Sequence, residues 1–390
     1  MKKILIVDDE AQIIKALQRM FVDSDYEILT ADNSMEATKL MEDSPIDMVI
    51  SDMRMPLFDG YKLLSNIKEK YPKTIRIILS GYADEKPMFR AILHNIAELY
   101  IYKPWNNNNF LQYIKKIFAV EDTLNENVFF EKVEKYCPPL SISEKCENMI
   151  TLIEEENMDG LIDAIEKDLQ TSELLLQVAD QAVFGAMPNK VKQASIYIGL
   201  LNLKSFMRWA VIVNSIRQEE VSTQEPPLLM QHSYLTNRIF LFLYEVFLHK
   251  QPPEAAMFAG LMHNIGLLLL AKESAKNVTT PLTIDDYKKL DLEENKELHQ
   301  EIGAHILSHW DLPYPIYEVA YYHHNPMNEN IIHKELVSCV HIAQAYAWQS
   351  LGSSQTEPIA PEIFETLDIA VEDFEKRLGR LLKQLITIAK

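Results

Sequence analysis

The chain has few cysteines, few glycines and no long apolar segment. Its three cysteines, Cys137, Cys146 and Cys339, are odd in number and lack metal-motif spacing, which argues against a disulfide framework and for a reducing compartment. Only 10 Gly and 18 Pro occur in 390 residues, and 47% are hydrophobic, a composition typical of globular proteins. The most apolar stretch, residues 259–271, is interrupted by a His-Asn pair and is too short to span a bilayer. We therefore expect no membrane association.

Positive charge is scarce in the second part of the chain. Residues 1–120 contain 16 Lys and Arg against 17 Asp and Glu, whereas residues 121–390 contain 22 against 40, a net charge of −18. Non-specific nucleic-acid binding depends on Lys and Arg that neutralise phosphates, so we expect no nucleic-acid partner. An apolar strand begins within three residues of Met1, which leaves no room for a signal peptide and predicts a cytoplasmic protein.

The periodicity of apolar residues divides the chain into two parts. Strand-like and helix-like segments alternate as far as residue 118, which predicts a doubly wound five-stranded parallel sheet. Beyond it the apolar residues follow helical spacing, for example in single helices over 253–270 and 285–291, and predict an all-α output domain. The chain length favours two to three domains. We predict these segments: a domain over 1–120, a helical linker over 121–137, an all-α domain over 138–350 and a helical extension over 351–390.

Four predicted strands end in polar residues suited to phosphoryl transfer. The acidic pair Asp8-Asp9 follows the first strand, Asp52 ends another, and Ser80 and Lys103 follow two more. Each feature alone has an ordinary explanation, such as a helix N-cap for the acidic pair or a turn for the serine. Together, in this order, they predict one site, because the carboxyl ends of parallel strands carry the chemistry of open α/β sheets.

The chemistry of this predicted site follows from its residue types. Asp52 is the expected nucleophile and phosphoacceptor. Asp8 and Asp9, with Asp52, are expected to hold Mg²⁺, which binds through carboxylates, phosphate oxygens and water. Lys103 offers a positive charge and Ser80 a hydroxyl for the oxygens of the incoming phosphoryl group.

Residues 1–120 resemble the receiver domain of two-component response regulators. The resemblance implies phosphorylation of Asp52 by a sensor histidine kinase and a switch role for Tyr100, three residues before Lys103. A half-buried strand aromatic is the simpler alternative for Tyr100. The stretches that carry the resemblance are Ile6 to Glu10, Ser51 to Pro56, Ile78 to Tyr82 and Tyr102 to Trp105.

A second group of chemically suggestive residues lies in the helical region. His232 is expected to open one helix, and His341 and Gln344 lie three residues apart on another, so they share a face. Two doublets complete the group: His263-Asn264 late in a helix, and His323-His324 at the end of one. Histidines from several helices are common metal ligands, although 11 His in 390 residues place some near helix ends by chance.

Residues from about 138 to 350 resemble the HDOD domain, a relative of the HD phosphohydrolases. The matching stretches are Pro138 to Leu140, Leu174 to Gly185, Leu261 to Gly266, Glu301 to Pro313 and His323 to Pro326. The resemblance implies that Asn264 and Gln344 stand where an active hydrolase has its two metal-binding Asp. An amide cannot offset the charge of a metal ion as a carboxylate does. We therefore expect a metal-free site, including His232, His263, His323 and His324, closed by packing and amide hydrogen bonds.

The sequence thus predicts a phosphorylation-controlled response regulator with a non-catalytic output domain. Mg²⁺ is expected at the receiver site, and no cofactor in the output domain. The output domain is expected to act on a downstream signalling protein of unknown identity, and a homodimer is compatible with this interpretation. Two alternatives remain open: an active HD-type metal-dependent phosphohydrolase acting on a cyclic dinucleotide, and a transcriptional regulator that binds DNA directly. Bound metal would favour the former and salt-dependent duplex binding the latter.

Overall fold

The computed structural model forms two compact units, Met1–Val120 and Glu121–Lys390. Among the residues it describes, no helix has both the length and the apolar content needed to cross a membrane. The described residues are 1–55, 59–81, 85–124, 143–185, 188–217, 228–253, 255–275, 283–294, 296–353 and 358–388.

The first unit contains a five-stranded parallel sheet with the strand order β2-β1-β3-β4-β5. Every residue of β3 and β4 is buried, which is typical of a parallel sheet covered on both faces. The sheet confirms the predicted fold class of this unit. Its strands are β1 Lys2–Val7, β2 Tyr26–Ala31, β3 Met48–Asp52, β4 Ile75–Ser80 and β5 Leu99–Tyr102.

Five helices connect and follow the strands of the first unit. Asn33 and Asp59 cap the second and third of these helices, each accepting a hydrogen bond from a first-turn N–H. The helices are α1 Ala11–Met20, α2 Ser34–Asp43, α3 Gly60–Lys70, α4 Glu85–Leu93 and α5 Asn107–Leu124. Helix α5 therefore includes residues 121–124 of the predicted linker, and residues 125–137 lie outside the described residues.

The second unit is predominantly helical, as predicted. The described helices are α6 Glu144–Glu154, α7 Met158–Lys167, α8 Leu169–Gln181, α9 Val191–Arg217, α10 Leu228–Val246, α11 Ala259–Met262, α12 Ile265–Ala275, α13 Ile284–Lys289, α14 Lys296–His309, α15 Tyr314–Tyr322, α16 Lys334–Ser350, α17 Pro361–Thr366 and α18 Val371–Ile388. A π-helical turn, Leu290–Glu294, follows α13.

Three helix predictions in this unit were wrong in detail. The segment 253–270 is not one helix, because α11 ends at Met262 and α12 begins at Ile265, with His263 and Asn264 between them. His232 does not open its helix, which begins four residues earlier at Leu228. The segment 285–291 does not end as a regular helix, because the π-helical turn begins at Leu290.

Candidate functional site

The carboxyl ends of β1, β3, β4 and β5 bring the predicted phosphoryl-transfer residues to one edge of the sheet. Val7 and Ser51 are register partners on neighbouring strands, so Asp8 and Asp52, which follow them, lie side by side. Ser80 pairs with Tyr102, which immediately precedes Lys103.

Lys103 bridges the two buried carboxylates. Its ammonium group donates to Asp52 Oδ1 at 2.5 Å and to Asp8 Oδ2 at 2.9 Å. The Asp8 side chain is fully buried, whereas those of Asp52 and Lys103 are 10% and 20% exposed. The second oxygen of each carboxylate accepts a main-chain N–H, from Glu10 at 2.8 Å and from Arg54 at 2.7 Å. Both carboxylates are thus held in fixed orientations.

Burial and charge pairing act in opposite directions on these groups. Burial raises the pKa of Asp8 and of Asp52 above the usual aspartate range, more than the hydrogen bonds and charge of Lys103 lower it. Burial also lowers the pKa of Lys103, but the two carboxylates outweigh it, so its pKa is raised. Lys103 therefore stays protonated and offsets part of the negative charge.

The other predicted residues of this site are placed in different ways. Asp9 follows Asp8 directly and is exposed, so the acidic pair offers one buried and one accessible carboxylate. Ser80 is buried, and its hydroxyl donates to the Gly81 carbonyl at 3.2 Å. Tyr100 is half-buried, and its hydroxyl donates to the Ala91 carbonyl of α4 at 3.0 Å, which links β5 to that helix.

Gly60 allows α3 to start close to the phosphoacceptor. A Cβ atom at this position would lie 1.9 Å from the Asp52 carbonyl oxygen, so any side chain would displace the main chain. Asp8, Asp9 and Asp52 provide carboxylate oxygens of the kind that Mg²⁺ prefers. The residues present therefore fit a magnesium ion at this edge of the sheet.

The predicted doublet site of the second unit is deeply buried. His232 and His263 have fully buried side chains, and their ring centroids are 5.5 Å apart. The Nδ1 atom of His263 donates to the Gly260 carbonyl at 2.7 Å, so its Nε2 atom carries the lone pair. Asn264 is 1% exposed, and neither of its amide atoms has a hydrogen-bond partner among the described residues. Contrary to expectation, the Asn264 amide therefore contributes no hydrogen bond to the closure of the site among the described residues.

Trp348 covers one face of His232. The two rings stack with centroids 3.9 Å apart and an interplanar angle of 20°. His232 Nε2 donates to the main-chain carbonyl of Gln344 at 3.1 Å, and the Gln344 side chain is fully buried. Burial lowers the pKa of His232 to about 4, and burial together with His232 lowers the pKa of His263 well below its usual range. Both histidines are therefore neutral at pH 7.

Two residues that the sequence analysis did not identify lie beside the His323-His324 doublet. Asp291, in the π-helical turn, and His299, in α14, are both fully buried. His324 Nε2 donates to Asp291 Oδ1 at 3.0 Å, and His299 Nε2 lies 3.2 Å from His323 Nε2. Gly266 permits the close contact between α12 and α14, since a Cβ atom there would lie 1.9 Å from the His299 carbonyl oxygen.

Comparison with protein-family models gives two matches. Residues 4–115 match the response regulator receiver domain, and residues 141–326 match the HDOD domain. These two matches confirm the predicted domain types in their predicted order.

Curated relatives match the chain over its receiver region. The hydrogenase transcriptional regulatory protein HoxA of Cupriavidus necator is 31% identical over 118 residues, which are 30% of this chain and 24% of that protein. A putative response regulator, NtrX-like, of Rickettsia bellii is 32% identical over 127 residues, 32% of this chain and 26% of that protein. The chain thus spans about a quarter of the length of these curated relatives.

Solved structures also match the receiver region. The signal receiver domain of an HD domain-containing protein from Pseudomonas fluorescens is 30% identical and covers 31% of this chain and 98% of its own, with a TM-score of 0.31. The response regulator TrrA of Thermotoga maritima, solved with Mg(2+)-BeF, is 32% identical and covers 30% of this chain and 98% of its own, with a TM-score of 0.28.

Proposed function

We propose that this chain, which carries a receiver domain and an HDOD domain, is a response regulator in which phosphorylation of Asp52 controls a non-catalytic output domain. The observation that carries the proposal is the contact of Lys103 with both Asp8 and Asp52 at one edge of the sheet. This geometry joins a nucleophile, a metal-binding carboxylate and a cation for the phosphoryl oxygens.

In the proposed reaction an Asp52 carboxylate oxygen attacks the phosphorus of a phosphohistidine on a sensor kinase. The new O–P bond gives an acyl phosphate, the N–P bond breaks, and the imidazole of the kinase leaves. Mg²⁺, held by Asp8 and Asp52 with Asp9 nearby, would supply positive charge for the phosphoryl oxygens. Lys103 is already within hydrogen-bond distance of Asp52 and would contact one of these oxygens after transfer.

The energy of the new contacts is, at its upper end, about enough to drive a switch. A hydrogen bond to a charged group contributes roughly 1.5–3 kcal/mol, and Lys103 and Ser80 would each form one with the phosphoryl group. Moving an equilibrium from 1:99 to 99:1 takes about 5.5 kcal/mol. When the Ser80 hydroxyl leaves the Gly81 carbonyl for the phosphoryl group, the end of β4 changes its contacts, and Tyr100 offers a route from β5 to α4.

Burial of the doublet site supports a non-catalytic output domain. His232, His263, Asn264 and Gln344 are all at most 1% exposed, and Trp348 stacks on His232. A hydrolase needs an accessible metal centre with carboxylate ligands to balance the metal charge, and Asn264 and Gln344 provide amides instead. The output domain would then act by binding a protein, either a downstream signalling partner or a second copy of the chain. The net charge of −18 over residues 121–390 disfavours nucleic acid.

Labelling with acetyl phosphate and Mg²⁺ tests the phosphoacceptor. Wild-type protein should gain one phosphoryl group per chain, and base should release it because an acyl phosphate is a mixed anhydride. Asp52→Asn should gain none. Asp59→Asn is the matched control, because Asp59 caps α3 by accepting the Lys62 N–H at 2.9 Å and asparagine can do the same. Undiminished labelling of Asp52→Asn would refute the assignment.

A hydrolysis assay tests the output domain separately. Full-length protein with added Mn²⁺ or Zn²⁺ should hydrolyse neither a generic phosphodiester nor a cyclic dinucleotide. The double variant Asn264→Asp, Gln344→Asp should have a lower melting temperature than wild type in chelator, because two unpaired buried carboxylates cost several kcal/mol. Hydrolysis by the wild type that is lost in His263→Gln would overturn the proposal and establish an HD-type enzyme.

A further inference from the structure

Four buried side chains from different elements converge outside the Asn264 and Gln344 positions. Asp291 comes from the π-helical turn, His299 from α14, and His323 and His324 follow the end of α15. One candidate ligand atom from each of the four lies within 4.8 Å of the other three. The doublet pattern of the sequence points to only half of this set, because Asp291 and His299 lie outside both doublets.

Three of the six separations between these atoms are close to those of a small tetrahedral site. Bonds of about 2.0–2.1 Å to a central ion place neighbouring tetrahedral ligands about 3.3–3.4 Å apart. The separation is 3.2 Å between His299 Nε2 and His323 Nε2 and 3.0 Å between His324 Nε2 and Asp291 Oδ1. His299 Nε2 lies 3.6 Å from the same Asp291 oxygen. These three of the six separations lie close to the tetrahedral value, and all six are within 4.8 Å, so the cluster is compact enough to close around an ion.

Hydrogen bonds outside the cluster orient its ligand atoms inward. His323 Nδ1 donates to the Ala320 carbonyl at 2.9 Å, which leaves the lone pair of a neutral ring on Nε2, facing His299. Trp348 Nε1 donates to Asp291 Oδ2 at 3.1 Å, so the other carboxylate oxygen, Oδ1, faces His324. Histidine and carboxylate ligands of metals are commonly fixed by such partners.

Asp291 places a carboxyl group inside the cluster. Its carboxyl group is fully buried. A buried carboxylate needs hydrogen bonds or a positive partner close to it.

We infer that Asp291, His299, His323 and His324 form a closed binding site for one divalent transition metal ion, with Zn²⁺ the best match. Three imidazole nitrogens and one carboxylate oxygen suit zinc, and four protein ligands leave no open position for water or substrate. The site is therefore structural, which revises the expected metal-free output domain without making it a hydrolase. This inference does not depend on phosphorylation of Asp52.

Metal content and the visible spectrum of the cobalt-substituted protein test the inference. Full-length chain produced in zinc-supplemented medium should retain about one Zn²⁺ after gel filtration. Chain produced with Co²⁺ should show the intense visible bands of a four-coordinate ion. Asp291→Asn should reduce affinity, measured by competition with a chromophoric chelator, by more than about 100-fold, beyond the loss typical of an outer partner. His305→Gln is the matched control, because His305 lies on the same helix as His299 but outside the cluster.

A conservative variant covers the case in which Asp291→Asn does not fold. Trp348→Phe keeps an aromatic ring on His232 but removes the N–H donated to Asp291, so affinity should fall about 10–100-fold. Wild-type protein that contains less than a tenth of an equivalent of Zn²⁺ would overturn the inference. So would a six-coordinate Co²⁺ spectrum, or full occupancy and unchanged affinity in both Asp291→Asn and Trp348→Phe.

Discussion

Replacement of Lys103 by methionine should destabilise the receiver domain in a way that depends on pH and magnesium. The ammonium group of Lys103 lies 2.5 Å from Asp52 Oδ1 and 2.9 Å from Asp8 Oδ2, and methionine keeps its length without its charge. Removing one partner of a buried ion pair typically costs 3–5 kcal/mol. Because the Lys103 side chain is 20% exposed, solvent screens part of this energy, and we expect a loss of about 2–3 kcal/mol at pH 7.5.

The pH dependence follows from the carboxyl groups left behind. Burial already raises the pKa of Asp8 and Asp52, and loss of the cation between them raises it further. A carboxyl group whose pKa is higher in the folded than in the unfolded state binds its proton more tightly when the protein is folded. Its contribution to the free energy of unfolding is therefore largest below the unfolded-state pKa and is lost as the pH rises through the folded-state pKa. The difference between variant and wild type should therefore shrink as the pH is lowered from 7.5 toward 4.

Magnesium should reduce the same difference. An ion bound to Asp8 and Asp52 replaces the missing positive charge, and a ligand present at 100 times its Kd stabilises the folded state by about 2.7 kcal/mol. The variant lacks a competing ammonium group, so magnesium should stabilise it more than it stabilises the wild type.

Native-state hydrogen exchange in urea, followed at the amides of β1 and β3, measures receiver stability within the full chain. Lys73→Met is the control, because Lys73 is an exposed lysine of the same domain and its loss should cost no more than about 0.5 kcal/mol. Equal stability of Lys103→Met and Lys73→Met at pH 7.5 would refute this account of the site.

Three further predictions concern other parts of the molecule. Ser80→Ala should reduce the phosphorylation-dependent change in limited proteolysis only partly, since it removes one contact worth about 1.5–3 kcal/mol and keeps that of Lys103; complete loss would contradict this. Gly266→Ala should lower the melting temperature, because the added Cβ would meet the main chain of α14. Gly379→Ala, which has open space around it, should raise the melting temperature through the higher helix propensity of alanine; equal effects of the two variants would contradict the close contact between α12 and α14. In the wild type, the free energy of unfolding measured with urea should fall between pH 6.5 and 4, because the unfolded chain protonates His232 and the folded chain does not. His232→Gln should weaken this pH dependence, and an unchanged slope would contradict a buried neutral His232.

The receiver site could be predicted from the sequence because a parallel sheet makes strand ends meet. Asp8, Asp52 and Lys103 are far apart in the chain, but each follows or ends an apolar strand, and the strand order alone brings them together. The pattern did not indicate that Asp8 and Asp52 differ from Asp9 in burial. That difference arises from the packing around the edge of the sheet.

Two residues of the output domain, Asp291 and His299, could not be identified from the sequence. Asp291 lies in a π-helical turn, where the 3.6-residue spacing used to read helices does not hold. His299 reaches His323 because Gly266 lets α12 and α14 approach closely, a contact between helices that a single sequence does not reveal. Asp291, a buried carboxylate beside the histidines, therefore lies away from positions 264 and 344, where the family resemblance places the metal-binding carboxylates. The interruption of the helix at His263 and Asn264 was also not visible in the apolar pattern.

The central claim is that phosphorylation of Asp52 changes the output domain. Hydrogen exchange of the full chain, with and without acetyl phosphate and Mg²⁺, measures this directly in peptides from residues 143–185 and 296–353. The account predicts altered exchange in at least one of these regions in wild type and in Asp59→Asn, and none in Asp52→Asn. Stoichiometric phosphorylation of wild-type Asp52 with unchanged exchange throughout both regions would contradict it.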